Sequence, residues 1–264
     1  MIKIIRTITL ESIKHWFKSD VSIYAAAGAY FSIFALVPLV IAVLIVSNAL
    51  LDSNILKNYL TEAGLSFSPD ITQLIVTSIE NFNYNSVYGS LPFFGFLFFL
   101  WVVIYTFTML INGIHHITDV ESGGIRGWLV SSARSIVFFL ILIFFLVILV
   151  VFEIITSEVL GYRELYGFLN QIFNIAFTVL FLTIAYWILS IKPLPARDRF
   201  FGAIAATILF SFLQYIIAWW IQSTPAVDYF GATGIIVGLL LLLYLSFSIF
   251  YFGITVAYMS FRER

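Results

Sequence analysis

Apolar residues fall into six blocks along the chain, at about 24–51, 91–117, 133–157, 168–191, 200–222 and 231–261. A bilayer core about 30 Å thick is crossed by roughly 20 apolar residues in helical form, so each block has the length of a span. The first block, Tyr24 to Leu51, carries no charge. It opens on small residues, Ala25 to Ala29, which let a neighbouring backbone come close in lipid. Pro38 then removes a backbone donor near mid-span, and the carbonyl it frees, near Phe34, needs a partner inside the protein. This block is the expected centre of the bundle. Pro38 is expected to mark a break facing the bundle interior, where it either lines a path or shapes packing.

The segments between the blocks are amphipathic or polar. In residues 1–20, Ile5, Ile8, Ile13, Trp16 and Phe17 can share one face, with Lys3, Arg6, Lys14 and Lys18 largely elsewhere. That pattern predicts a helix lying on an anionic membrane surface. Residues 52–90 hold two shorter helical patterns, one capped by Asn54 and one begun by Ser68-Pro69-Asp70. The links 118–132 and 158–167 are short, Lys192 to Arg199 forms a charged, proline-rich turn, and residues 223–230 lead into the last block. The predicted fold is an all-α polytopic bundle of six transmembrane helices. It is one integral membrane domain, 1–264, with interfacial helices at the N-terminus and between spans one and two.

Composition agrees with this picture and narrows the chemistry. The 264 residues are 62% hydrophobic and 10% charged. A soluble domain carries about 25% charge. Net charge is -1, so there is no basic excess for nucleic acid. With no cysteine, disulfides and thiolate chemistry are excluded. Charge placement predicts the orientation. If the N-terminus is cytoplasmic, all 13 basic residues except Lys57 and Arg163 fall inside. Trp219 and Trp220 then lie near the outer end of span five, and Trp128 and Trp187 near inner ends, as an aromatic belt requires.

Ionisable groups at membrane depth are the usual marks of ion pathways, and the blocks are almost bare of them. Glu153 lies at the outer edge of span three. His115 and His116 adjoin the inner end of span two, where interfacial packing is the simpler reading of the pair and metal binding the rarer one. Uncharged polar residues are more numerous. Ser32, Asn112 and Thr255, with Pro38, are candidates for a pathway or for packing. Asn174, Thr178 and Gln214 belong to the same polar set. Gly231, Gly234 and Gly238 predict a close helix crossing. Arg126, Arg197 and Arg199 are candidates for lipid head-group contact. Catalytic, cofactor and metal-binding motifs are absent: there is no H-E-x-x-H, Walker loop or Gly-x-Ser-x-Gly. The expected chemistry is that of a non-enzyme without a cofactor.

Four groups of residues carry a family resemblance. They are Ala25-Ala26…Tyr30-Phe31-Ser32…Pro38-Leu39; Asn112-Gly113-Ile114; Pro193…Arg199-Phe200-Phe201-Gly202-Ala203; and Tyr229-Phe230-Gly231-Ala232-Thr233-Gly234…Leu243-Tyr244-Leu245-Ser246…Gly253. In order and spacing the chain resembles the YihY/BrkB family of bacterial inner-membrane proteins, formerly labelled ribonuclease BN. It departs at Leu242, where the family often has Trp, and at Ile254-Thr255, where it often has Ala-Glu. The resemblance implies six spans and an association with envelope lipid handling and serum resistance. The ribonuclease label finds no basic face or metal constellation here.

The function expected from these readings is transport or flipping of an envelope lipid or other amphiphile in the inner membrane. The alternative is a scaffold for envelope machinery, and a membrane hydrolase is a distant third. Expected partners are membrane lipids, and beyond them a second copy or an envelope protein; nucleic acid is not one. The topology is open to test, since any introduced cysteine is unique. A Ser122→Cys variant should resist an impermeant thiol reagent in intact cells and react after lysis. Labelling in intact cells would reverse the orientation.

Overall fold

The structure, a computed structural model, describes residues 2–50, 90–120, 124–160, 163–190, 192, 194–223 and 226–262. Seven helices make up the described chain: α1 (Ile2–Lys18), α2 (Val21–Leu50), α3 (Ser90–Ile117), α4 (Gly124–Leu160), α5 (Arg163–Leu189), α6 (Ala196–Ser223) and α7 (Ala226–Arg262). The described residues contain no strand. Among them, α3 to α7 are each long and apolar enough to cross a membrane. The apolar helix α2 runs for 30 residues and continues through Pro38. The protein is a multi-pass, all-helical membrane protein. The two helical patterns predicted within 52–90 lie outside the described residues, as do the side chains of Pro38 and Glu153.

Helix ends differ from the sequence pattern in one instructive place. The link predicted at 118–132 is shorter, because α4 begins at Gly124. Gly124 has φ +58°, a left-handed conformation that glycine adopts without a Cβ penalty. Helix α3 ends just before this link in a Schellman-type cap. Asp119 has φ +51°, and the Val120 N–H returns to the His115 carbonyl at 3.0 Å. The predicted span starts at Ala133 because Gly123-Gly124 and Arg126 read as a link, whereas backbone hydrogen bonding is indifferent to side-chain polarity.

The core sits where α2, α3, α6 and α7 meet. Ala25 and Ala29 of α2 are fully buried. Gly28 between them leaves room for the Phe247 ring of α7, which a Cβ would meet at 3.2 Å. The expected close packing of the small-residue start of the first block is met at Ala25, Gly28 and Ala29. Of the crossing predicted at Gly231, Gly234 and Gly238, the surroundings of Gly231 and Gly234 lie outside the described residues; a close crossing is described elsewhere on α7. It pairs Gly202 of α6 with Gly253 of α7, where a Cβ on either would collide with the other's carbonyl oxygen. Such backbone contact replaces the hydrophobic drive that is missing between helices in lipid. Tyr186 of α5 then reaches across to donate a hydrogen bond to the Phe250 carbonyl at 3.0 Å. Tyr251 of α7 donates to the Leu110 carbonyl of α3 at 3.3 Å, beside Gly113.

One end of the bundle, here called the base, carries α1 and the α3–α4 and α5–α6 links. It is laced by polar contacts. His15 of α1 donates through Nε2 to the Ile117 carbonyl at 2.9 Å, capping the end of α3. Tyr258 of α7 donates to Asp119 at 3.4 Å, and Lys192 lies 5.0 Å from the Tyr258 ring centroid. Asp198, in the first turn of α6, is fully buried and accepts a 2.9 Å bond from Ser260. A carboxylate in a first turn is favoured by the positive end of the helix dipole. On α1 the apolar residues Leu10, Ile13 and Phe17 are exposed, while Ser12 is buried. That inverted polarity suits a helix whose outer face meets lipid.

The Gly202–Gly253 crossing yields a stability prediction. Gly253→Ala drives a methyl into the Tyr186 hydroxyl, Ala206 and the Gly202 carbonyl. Overpacking of this kind costs about 1–3 kcal/mol. Gly28→Ala meets only a side-chain ring that can yield. In thermal unfolding of the purified protein, the first variant should melt clearly lower than the second. Equal melting points would contradict the crossing.

Candidate functional site

Polar side chains within the apolar helices need a reason, because hydrocarbon offers them no partner. On α5, Asn170, Asn174 and Thr178 follow one another at i, i+4 and i+8, with Gln171 alongside. On α6, Thr207, Ser211, Gln214 and Tyr215 make the facing stripe. The two stripes enclose a groove of about 570 Å³ with a floor of Phe181, Leu182 and Phe210. From Asn170 to Thr178 the polar stripe extends about 12 Å along the helix axis, at 1.5 Å per residue.

The groove's two kinds of polar group behave differently. The hydroxyls bond back to their own helices: Thr178 to the Asn174 carbonyl at 2.7 Å, Thr207 to Ala203 at 2.8 Å and Ser211 to Thr207 at 3.0 Å. The amides face outward. Gln171, Asn174 and Gln214 are exposed, and the Asn174 amide donates to Asn170 at 3.2 Å. A primary amide offers two donors and an acceptor. These groups retain capacity to bind a polar molecule lying between α5 and α6.

Behind the groove lies a second space of about 280 Å³ in the bundle centre. It is almost wholly apolar, walled by Phe107, Leu110 and Phe138 and by Leu243, Phe247 and Phe250. Phe181, Leu182 and Phe210 line both spaces, forming the wall between them. A polar chamber open at the bundle flank therefore backs onto an apolar one. This pairing has the chemistry of an amphiphile.

The residues singled out in the sequence fare unevenly. Ser32 lines the apolar cavity. Asn112 is half-buried and outside both spaces. Thr255 is fully buried, and its hydroxyl donates to the Tyr251 carbonyl at 2.8 Å, which makes it an internal packing group. Pro38 has no described side-chain surroundings, and α2 stays helical through it. Arg126 and Arg197 are exposed at the base, with Arg197 5.6 Å from the Phe201 ring centroid, and Arg199 is half-buried. His116 is exposed beside Tyr24, ring centroids 5.7 Å apart, and His115 is buried. Sequence reasoning listed Asn174, Thr178 and Gln214 but missed Asn170, Gln171, Thr207, Ser211 and Tyr215. The i, i+4, i+8 spacing on α5 was the available signal.

Residues 12–264 match the family model described as Virulence factor BrkB. No curated protein and no solved structure matches the chain.

The groove's amides can be separated from helix glue by stability. Interhelical hydrogen bonds in membrane proteins average about 0.6 kcal/mol by double-mutant cycles. The exposed amides of Asn174 and Gln214 face outward, so the double variant Asn174→Leu/Gln214→Leu should melt at or above the parent temperature. A clear drop would identify them as glue between helices.

Proposed function

The chain belongs to the virulence factor BrkB family, and from that premise and the paired chambers we propose that it binds and moves an amphiphile across the cytoplasmic membrane. A lipid of the bacterial envelope is the class of cargo. The carrying observation is the polar groove that shares three wall residues with an apolar cavity. The amides of α5 and α6 hold the polar head, and the cavity shelters apolar chain when Phe181 and Phe210 turn aside.

In this reading α2 is the sixth span, alongside α3 to α7, and the protein resides in the bacterial inner membrane with the base cytoplasmic. The excess of Lys and Arg on that side supports this orientation. The groove then opens in the outer half of the bilayer. Arg126, Arg197 and Arg199 meet anionic head groups on the inner surface, each contributing about 1 kcal/mol. The activity is transport without covalent chemistry, and membrane lipids are the partners that it needs. The scaffold reading loses ground because exposed amides in a span are costly on a surface that only touches lipid tails.

The test is reconstitution. In vesicles of phosphatidylethanolamine and phosphatidylglycerol carrying a trace of head-group-labelled lipid, the protein should speed loss of the protected label to an external quencher. Asn174→Leu/Gln214→Leu should slow this at least tenfold at equal folded protein. Rates equal to protein-free vesicles would refute the proposal.

A further inference from the structure

The polar lining of the groove also sets which head group suits it. That lining is rich in primary amides, Asn170, Gln171 and Asn174 on α5 and Gln214 on α6, with the Tyr215 hydroxyl beside them. Each amide has two N–H donors and a carbonyl acceptor, and a phenol both donates and accepts. Donors and acceptors therefore stand side by side along the groove, close enough for the Asn174 amide to reach the Asn170 oxygen at 3.2 Å. Among the described residues that line the groove, none is charged. Arg163 and Glu164, of opposite charge, open α5 at least six residues before Asn170, about 9 Å along the helix axis.

Such a lining discriminates by hydrogen-bond direction. Phosphate oxygens only accept, so amide carbonyls turned toward them face negative charge. An ammonium only donates, and leaves the amide N–H groups without a partner. Neither charge meets its opposite among the described lining residues, and a charge taken out of water unpaired is costly. A hydroxyl donates and accepts, as an amide does, so a row of hydroxyls satisfies both halves of each amide. A sugar ring also has apolar C–H faces. The rings of Phe181 and Phe210 on the floor and of Tyr215 at the exposed edge offer flat apolar surface to them. The volume of about 570 Å³ falls within the range of roughly 300–1,000 Å³ usual for small-molecule sites.

We propose that the groove favours an uncharged, hydroxyl-rich head group, a sugar or polyol, over a phosphate-bearing one. The inference rests on the reading of the groove as the head-group site of an amphiphile, and it names the head. A sugar carried on a lipid and a free sugar share this chemistry.

The full-length protein, ¹⁵N-labelled in its asparagine side chains and held in dodecyldimethylamine oxide to avoid sugar detergents, provides the test. Its probes are glucosyl-dioctanoylglycerol, dioctanoyl phosphatidylethanolamine, dioctanoylglycerol and methyl glucoside. The Asn170 and Asn174 resonances are assigned through Asn170→Leu and Asn174→Leu. They should shift saturably with the glucosyl lipid, at least tenfold more tightly than with phosphatidylethanolamine or dioctanoylglycerol. Gln214→Leu should weaken that binding at least tenfold, whereas Asn112→Ala and Arg163→Gln should leave the ranking of probes unchanged. A glucosyl lipid that binds more tightly than methyl glucoside identifies a lipid-borne head. Equal binding of the two identifies a free sugar, which supports the hydroxyl chemistry and counts against the amphiphile. Phosphatidylethanolamine binding as tightly as the glucosyl lipid overturns the inference and leaves the amphiphile reading standing. Dioctanoylglycerol binding as tightly also overturns it, as does a ranking reversed in Arg163→Gln or unchanged affinity in folded Gln214→Leu. If no probe shifts either resonance, the inference and the amphiphile reading fall together. Should Gln214→Leu not fold, the ranking by the unaltered protein still decides.

Discussion

The contact of Gly202 with Gly253 is the constraint from which the bundle's shape follows. It brings the α6 and α7 backbones together without side chains between them. Tyr186 closes the same junction from α5, and its neighbours Ala185, Leu189, Ala203 and Ala206 are fully buried. Helices α5 and α6 are therefore packed tightly toward the base. Toward the far end the same pair holds a groove of about 570 Å³ between Asn170–Thr178 and Thr207–Tyr215. Larger residues at the crossing would push α6 off α7 and alter the groove as well as stability.

Polarity within the membrane-spanning helices follows three distinct rules. Hydroxyls on α3, α5, α6 and α7 bond back to the carbonyl four residues earlier, as Thr106, Thr183, Thr207 and Thr255 do. Such groups cost little and need no ligand. Tyrosines span helices, each donating to a carbonyl on a neighbour, and so tie α5 and α3 to α7. The amides of the groove follow a third rule: Asn174 donates to the Asn170 side chain one turn away, and Gln171, Asn174 and Gln214 are exposed on the flank, where in the proposed reading a polar visitor repays their desolvation. In the proposed reading, the apolar cavity behind them takes the rest of that visitor; Phe181, Leu182 and Phe210 line both spaces.

Much of the fold was legible because span length and hydropathy are local properties of the chain. Helix identity needed no tertiary information. The direction of each polar side chain did. Thr255 and Asn174 look alike in a list of polar residues within spans, yet one is buried and bonds its own backbone while the other is exposed beside the groove. The stripe Asn170-Asn174-Thr178 had the right spacing for a common face, but its partner on α6 is fixed only by how two helices pack. The crossing at Gly253 was not legible, because it depends on Gly202 of another helix meeting it, which no local pattern on α7 reveals.

The most direct measurement is where a lipid chain touches the protein inside a bilayer. A phospholipid with a photoreactive group midway along one acyl chain, incorporated into nanodiscs with the protein, would mark its contacts on illumination. Peptide mapping should then find adducts on the wall and cavity residues Phe181, Leu182, Phe210 and Phe138 as well as on the outer surface. They should diminish at the interior positions in Asn174→Leu/Gln214→Leu. Adducts confined to outward residues such as Leu140, Phe144, Ile208 and Phe212, with none inside, would contradict the account.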